Sequence, residues 1–163
     1  MKRARRAARE LALNIIYQVD VCGMPFDEAL ETALEFTDLS NLSSKDPGKA
    51  DEVREYARTL VSGIRENRAE LDESITQLAQ DWPLDRQPSV DRNILRLALY
   101  EMKYVDSVPP VVAVDEAVEM AKKFSTEDSG KFVNGVLAGY LRKLNEKPEE
   151  NESEEKEIDS QDS

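Results

Sequence analysis

The chain has 163 residues, of which 40% are hydrophobic and 34% charged, and its formal net charge is −12. It contains no histidine and a single cysteine, so it cannot build a Ser-His-Asp triad, a Cys-His pair, a histidine zinc site, an internal disulfide or a CxxC centre. Neither a GK[ST] nor a GxGxxG phosphate loop occurs, and no apolar run reaches membrane-spanning length. This pattern points away from enzyme chemistry, metals and cofactors, and the lone Cys22 suits a reducing cytoplasm.

Charge is unevenly spread. Residues 1–9 hold Lys2, Arg3, Arg5, Arg6 and Arg9 with no acid, whereas residues 146–163 hold nine acids against Lys147 and Lys156. An acidic body therefore carries a basic arm at one end and an acidic tail at the other. The first periodic segment follows the arm, with Leu11, Ala12, Ile15, Ile16 and Val19 as its stripe. If residues 3–20 form one helix, the arm's cations sit where the helix dipole disfavours them by about 0.3–1 kcal/mol each. Clustered arginine offers planar donor forks to phosphate. From residues alone the arm reads as an RNA or polyanion site, as a solvated, frayed terminus or an arm that pairs with the acidic body, or as an arginine-rich targeting segment. Tyr17 falls within about 20° of Arg6 around the helix, opposite the stripe, where a ring beside arginines suits base stacking. Packing against a neighbouring helix or a second subunit is the alternative.

Phe26, Leu30, Ala33 and Leu34 predict a second, shorter helix, and Ser40–Gly48 reads as a polar loop. Val53, Tyr56, Ala57, Leu60, Val61 and Ile64 make the next stripe; Leu71, Ile75, Leu78 and Ala79 continue it after a break near Asn67. Trp82, before Pro83, is expected to anchor a loop to the core. In Val90–Tyr104, the side chains of Ile94, Leu95, Leu97, Ala98, Leu99 and Met102 surround the helix, which predicts a central helix covered by others, with Ser89 as its N-cap. Val114, Ala117, Val118 and Ala121 form the penultimate stripe. Val133, Val136, Leu137, Tyr140, Leu141 and Leu144 form the last, with Asp128 or Ser129 as its N-cap. All seven prolines fall between periodic segments. The result is an all-α protein of about seven helices, with disorder expected beyond about Glu146.

Three further clusters bear on function. Ser125–Phe132 ends in a helix start carrying Lys131, with Phe132 at the stripe's edge, which fits either an anion site or a capped helix with an edge ring. Gly135 and Gly139 permit close approach by a partner or a helix. Asp115, Glu116 and Glu119 could gather a metal, but Lys122 and Lys123 make i,i+4 ion pairing the simpler reading.

Read together, Val90-Asp91-Arg92-Asn93-Ile94-Leu95-Arg96-Leu97-Ala98-Leu99-Tyr100-Glu101, the following Val-Pro-Pro, Val114-Asp115-Glu116-Ala117-Val118-Glu119-Met120-Ala121-Lys122, and Lys131-Phe132-Val133-Asn134-Gly135-Val136-Leu137 resemble the NusB family of bacterial transcription antitermination factors. The resemblance covers most of residues 3–145. It implies a NusB-like helical RNA-binding domain over 1–145, built from two small bundles, with 146–163 as a disordered acidic tail outside the family pattern. It also implies binding of single-stranded boxA RNA, jointly with the ribosomal protein NusE, within an antitermination complex on RNA polymerase. By motif match, Lys2, Arg3, Arg5, Arg6, Arg9 and Tyr17 would contact RNA, Asp128, Lys131 and Phe132 would form a second RNA patch, and Asp91 would lie on a partner-binding surface. The Ser40–Gly48 loop looks longer than in compact members. The acidic tail lying over the arm and competing with RNA is a further expectation, and a homodimer covering the arm is left open. A protein-binding helical scaffold is the rival reading. A helical domain of an RNA methyltransferase would need a cofactor domain that no motif here supplies.

Overall fold

Helices form wherever the apolar spacing is helical, and proline sets the starts of three of them. The computed structural model describes the backbone of residues 2–43, 46 and 48–161 and the side chains of 3–41, 46 and 48–146. Among these residues there is no strand. The order is α1 (Lys2–Cys22), α2 (Phe26–Phe36), a single turn α3 (Ser40–Ser43), α4 (Gly48–Glu66), α5 (Arg68–Leu78), α6 (Ser89–Tyr104), α7 (Pro110–Phe124) and α8 (Glu127–Gln161). Pro25, Pro88 and Pro109 stand immediately before α2, α6 and α7, and Pro110 opens α7, where a missing N–H costs nothing. Gly23, at φ 66°, supplies the left-handed residue after α1 that few other side chains tolerate.

The two halves of the chain share one core. Helices α1, α2 and α4 pack together, α5, α7 and α8 gather around α6, and α6 also touches α1 and α4. All six apolar side chains predicted to surround α6 are buried, as a helix covered on every side requires. Its polar residues Asp91, Asn93, Arg96 and Glu101 are buried with them, as is Arg9 of α1. Such groups need partners in a dry core. Arg96 bonds Asp72 at 2.7 Å and Asp20 at 2.9 Å, and Asp20 also accepts from Arg92 at 2.7 Å and Asn93 Nδ2 at 3.0 Å. Burial would raise the Asp20 carboxyl, but these donors outweigh it and hold its pKa at about 2.

Four details depart from the sequence reading. One turn of helix, α3, interrupts the polar loop, started by Asp38 Oδ1 accepting from the Ser40 N–H at 2.9 Å; residues 44, 45 and 47 lie outside the described residues. Ser89 is the first residue of α6, not its cap, and its carbonyl accepts from Asn93 Nδ2 at 2.7 Å. Helix α8 begins earlier than expected. Thr126 Oγ1 accepts from the Ser129 N–H at 3.1 Å, so Thr126 is the cap and Asp128 and Ser129 fall in the first turn. The backbone of α8 also stays helical to Gln161, with Pro148 inside it. Its periodic apolar stripe nevertheless ends at Leu144, and the stretch beyond is rich in Glu, a residue of good helix propensity. Side chains beyond 146, and with them the expected contact between tail and arm, lie outside the described residues.

Candidate nucleic-acid interface

The basic arm divides into residues that face in and residues that face out. Arg9 is only 4% exposed and gives its Nε–H to both oxygens of Glu101 at 2.8 and 3.0 Å. Burial lowers the Arg9 pKa and the Glu101 carboxylate more than restores it, so the net shift is upward. The Tyr56 hydroxyl donates to the same carboxylate, and burial together with that charge holds the phenol well above its ordinary range. Arg5 is half-buried with its guanidinium 3.9 Å over the Tyr56 ring. Arg9 is thus a core residue rather than an RNA contact, and Arg5 faces the same inner cluster. Arg3 and Arg6 are exposed, and the Arg6 guanidinium meets Glu116 of α7 at 3.0 Å. The Lys2 side chain lies outside the described residues.

Across from this outer face lies the end of α7. A groove of about 610 Å³ is lined by Arg6 and Glu10 on one side and Glu116, Lys122, Lys123 and Glu127 on the other. A second, of about 660 Å³, also takes in Glu10 and runs past Asn14 and Tyr17 to Leu39, Val90 and Phe124. Tyr17 is half-buried in that second groove, so it neither stands free nor packs fully into the core. Lys123 pairs with Glu10 at 2.8 Å rather than with an acid on its own helix, and it lies 5.2 Å from the Phe124 ring.

The second predicted patch is presented by the start of α8. Asp128 and Lys131 are exposed and Phe132 is half-buried, its ring 6.3 Å from that of Trp82. Trp82 is 51% exposed, so its ring does not anchor the loop by burial in the core as expected; hydrogen bonds hold the loop, with buried Gln87 donating from Nε2 to the Trp82 carbonyl at 3.1 Å. Asp91 is corrected too. It is buried beneath the α7–α8 turn, so its carboxylate is not on a partner-binding surface. Burial raises its pKa, and the nearby Ser129 and Ser125 hydroxyls offset only part of that rise. The Ser125 and Ser129 hydroxyls bond each other at 2.8 Å, and that contact ties down the turn that displays Asp128 to Phe132. Gly139 lies against Leu78 of α5, while a side chain at Gly135 would meet nothing within 4 Å.

This helical order and these motifs match the NusB family over residues 6–142. The chain belongs to the NusB family. The transcription antitermination protein NusB of Symbiobacterium thermophilum is 45% identical over 139 residues, covering 85% of this chain and 90% of that protein. Among solved structures, a chain of the antitermination factors NusB and NusE in complex with dsRNA is 30% identical, covers 87% of this chain and 99% of its own, and superposes with a TM-score of 0.71. NusB of T. maritima is 36% identical, covers 82% of this chain and 87% of its own, and gives a TM-score of 0.69.

Within this NusB fold, the surface placement of three residues is not legible in the sequence. Phe124 stands three residues after Ala121 and so continues the α7 stripe, yet it is 44% exposed because the helix ends there. The spacing of Lys123 predicts an ion pair on its own helix, and only folding brings Glu10 beside it. Trp82 carried no periodic signal, standing between helices.

Proposed function

We propose that this chain is a cytoplasmic, bacterial, non-enzymatic antitermination factor that binds single-stranded boxA RNA of nascent ribosomal RNA transcripts together with NusE, as part of an antitermination complex on RNA polymerase. Membership of the NusB family supports the role, and the NusB–NusE–dsRNA structure supports the class of partner. No helix of the described residues is long and apolar enough to cross a membrane.

The observation that carries the reading is the outer face of α1. Arg3 and Arg6 lead along it to Tyr17, and Lys122, Lys123 and Phe124 stand across the grooves. A single strand needs cations for its phosphates and rings for its unpaired bases, and this face alternates the two. Lys131 and Phe132 repeat the combination at the start of α8. Arg9 and Asp91, both buried, are outside this contact set. The test is fluorescence anisotropy of a boxA-type RNA and a scrambled control, with and without NusE. Preference for boxA, strengthened by NusE and lost in Arg6→Ala and Tyr17→Ala variants, is the expected result. Equal, weak binding of both RNAs in every condition would reduce the face to a generic polyanion site.

A further inference from the structure

Trp82 is the chain's only tryptophan, and the fold holds half of it in solvent. Its backbone N–H donates to the Ala79 carbonyl at 3.1 Å, its indole Nε1–H to the Arg86 carbonyl at 3.2 Å, and its own carbonyl accepts from Gln87 Nε2 at 3.1 Å. Every polar handle of the residue is thereby used to fix the ring, and none of these bonds buries it. A large apolar ring pre-organised at the surface is what a stacking platform requires.

The surroundings say what would lie on it. Trp82 and Phe132 line an open groove of about 360 Å³ together with Lys131, Gly135, Gln80 and Asp81. The two rings are inclined at 50°, so no planar group can be sandwiched between them; a base can lie on the free face of Trp82 with Phe132 as a side wall. Lys131 forms no ion pair among the described residues and is placed for the phosphate. Gln80 and Asp81 offer acceptors to an exocyclic amino group. Gly135 leaves the floor open, since a Cβ there would meet nothing.

We propose that Trp82 is a base-stacking residue of the RNA interface, receiving one unpaired nucleobase beside Phe132 and extending the Asp128–Phe132 patch onto the α5–α6 loop. This rests on the RNA-binding reading above and adds a subsite to it. Because Trp82 is unique, its intrinsic fluorescence reports the contact directly. Titrating boxA-type RNA into the whole chain should quench it, while anisotropy of labelled RNA gives the affinity. Trp82→Ala should weaken binding roughly 5- to 150-fold, the range of one lost base stack, and Trp82→Phe should retain most of it. Gly135→Leu, whose Cβ would meet nothing within 4 Å, puts a side chain into the groove and should weaken binding while leaving thermal unfolding unchanged. This variant keeps the test valid if the Trp82→Ala loop fails to fold. Unquenched fluorescence, with Trp82→Ala and Gly135→Leu binding as tightly as the parent chain, would overturn the subsite while boxA selectivity preserved the broader function. Loss of that selectivity in the parent chain would bring down both. Weakened NusE binding with unaltered RNA affinity would make the groove a protein-docking face and overturn the proposal equally.

Discussion

Arg6 and Arg9 stand three residues apart in one arginine-rich arm and do opposite work. Arg6 points outward to a half-buried acid, whereas Arg9 is sealed against Glu101 and Tyr56. Removing Glu101 would leave a guanidinium in the core without its counter-charge, and such a break costs about 3–5 kcal/mol. Glu101→Ala is therefore expected to lower the midpoint of urea unfolding strongly. In RNA titrations, Arg6→Ala should shallow the dependence of log K on log salt by about 0.7, the share of one phosphate contact to a single strand. Arg9→Ala should leave that slope unchanged and reveal itself only in unfolding; a shallower slope would return Arg9 to the interface. Composition could not separate the two, but helical geometry could. Arg9 lies seven residues before Ile16 and three before Ala12, on the buried stripe. Asp91, Arg96 and Glu101 were likewise hidden by charge, although a helix apolar on nearly every side leaves its polar residues nowhere else to go.

At the level of elements, the helices and the break at Asn67 were legible, because periodicity and proline punctuation report the local chain. Helix starts were less so, since Ser, Thr and Asp are interchangeable as caps until the chain is folded. That is why Thr126 displaced Asp128 and Ser129 at the head of α8. Least legible was the approach of α4 to α6. Gly63 lies mid-helix in α4, where glycine alone costs about 0.5–1 kcal/mol relative to alanine, and its reason is tertiary. A Cβ built there would fall 2.1 Å from the Tyr100 ring of α6. Gly63→Ala should therefore destabilise the protein despite its better helix propensity, by about 1–3 kcal/mol as an overpacked contact. The check is a thermal-unfolding cycle with Tyr100→Ala. Relief of the Gly63→Ala penalty in the double variant is expected, and simple additivity would remove Tyr100 as the cause.

Over the whole molecule, the puzzle is how a chain of net charge −12 offers a binding face to a polyanion. Two cations of that face are held by acids of the same surface: Arg6 by Glu116 at 3.0 Å and Lys123 by Glu10 at 2.8 Å. At these two positions RNA phosphate must exchange with a carboxylate rather than meet a free cation, which weakens binding to any polyanion and leaves more of the discrimination to the rings and base edges. Each exposed pair is worth about 0.2–1 kcal/mol, so neutralising one acid should tighten RNA binding by roughly 1.5- to 5-fold at low salt. Glu10→Gln is the cleaner probe, because Glu116 also approaches Arg9 at 4.0 Å. With Glu10→Gln, affinity for boxA and for a scrambled strand should rise by the same factor, since the gain is electrostatic and carries no sequence information. Selectivity would then stay constant while affinity rose. A gain confined to boxA would place Glu10 against a base, and a loss of affinity would show that its carboxylate accepts from the RNA instead of competing with it.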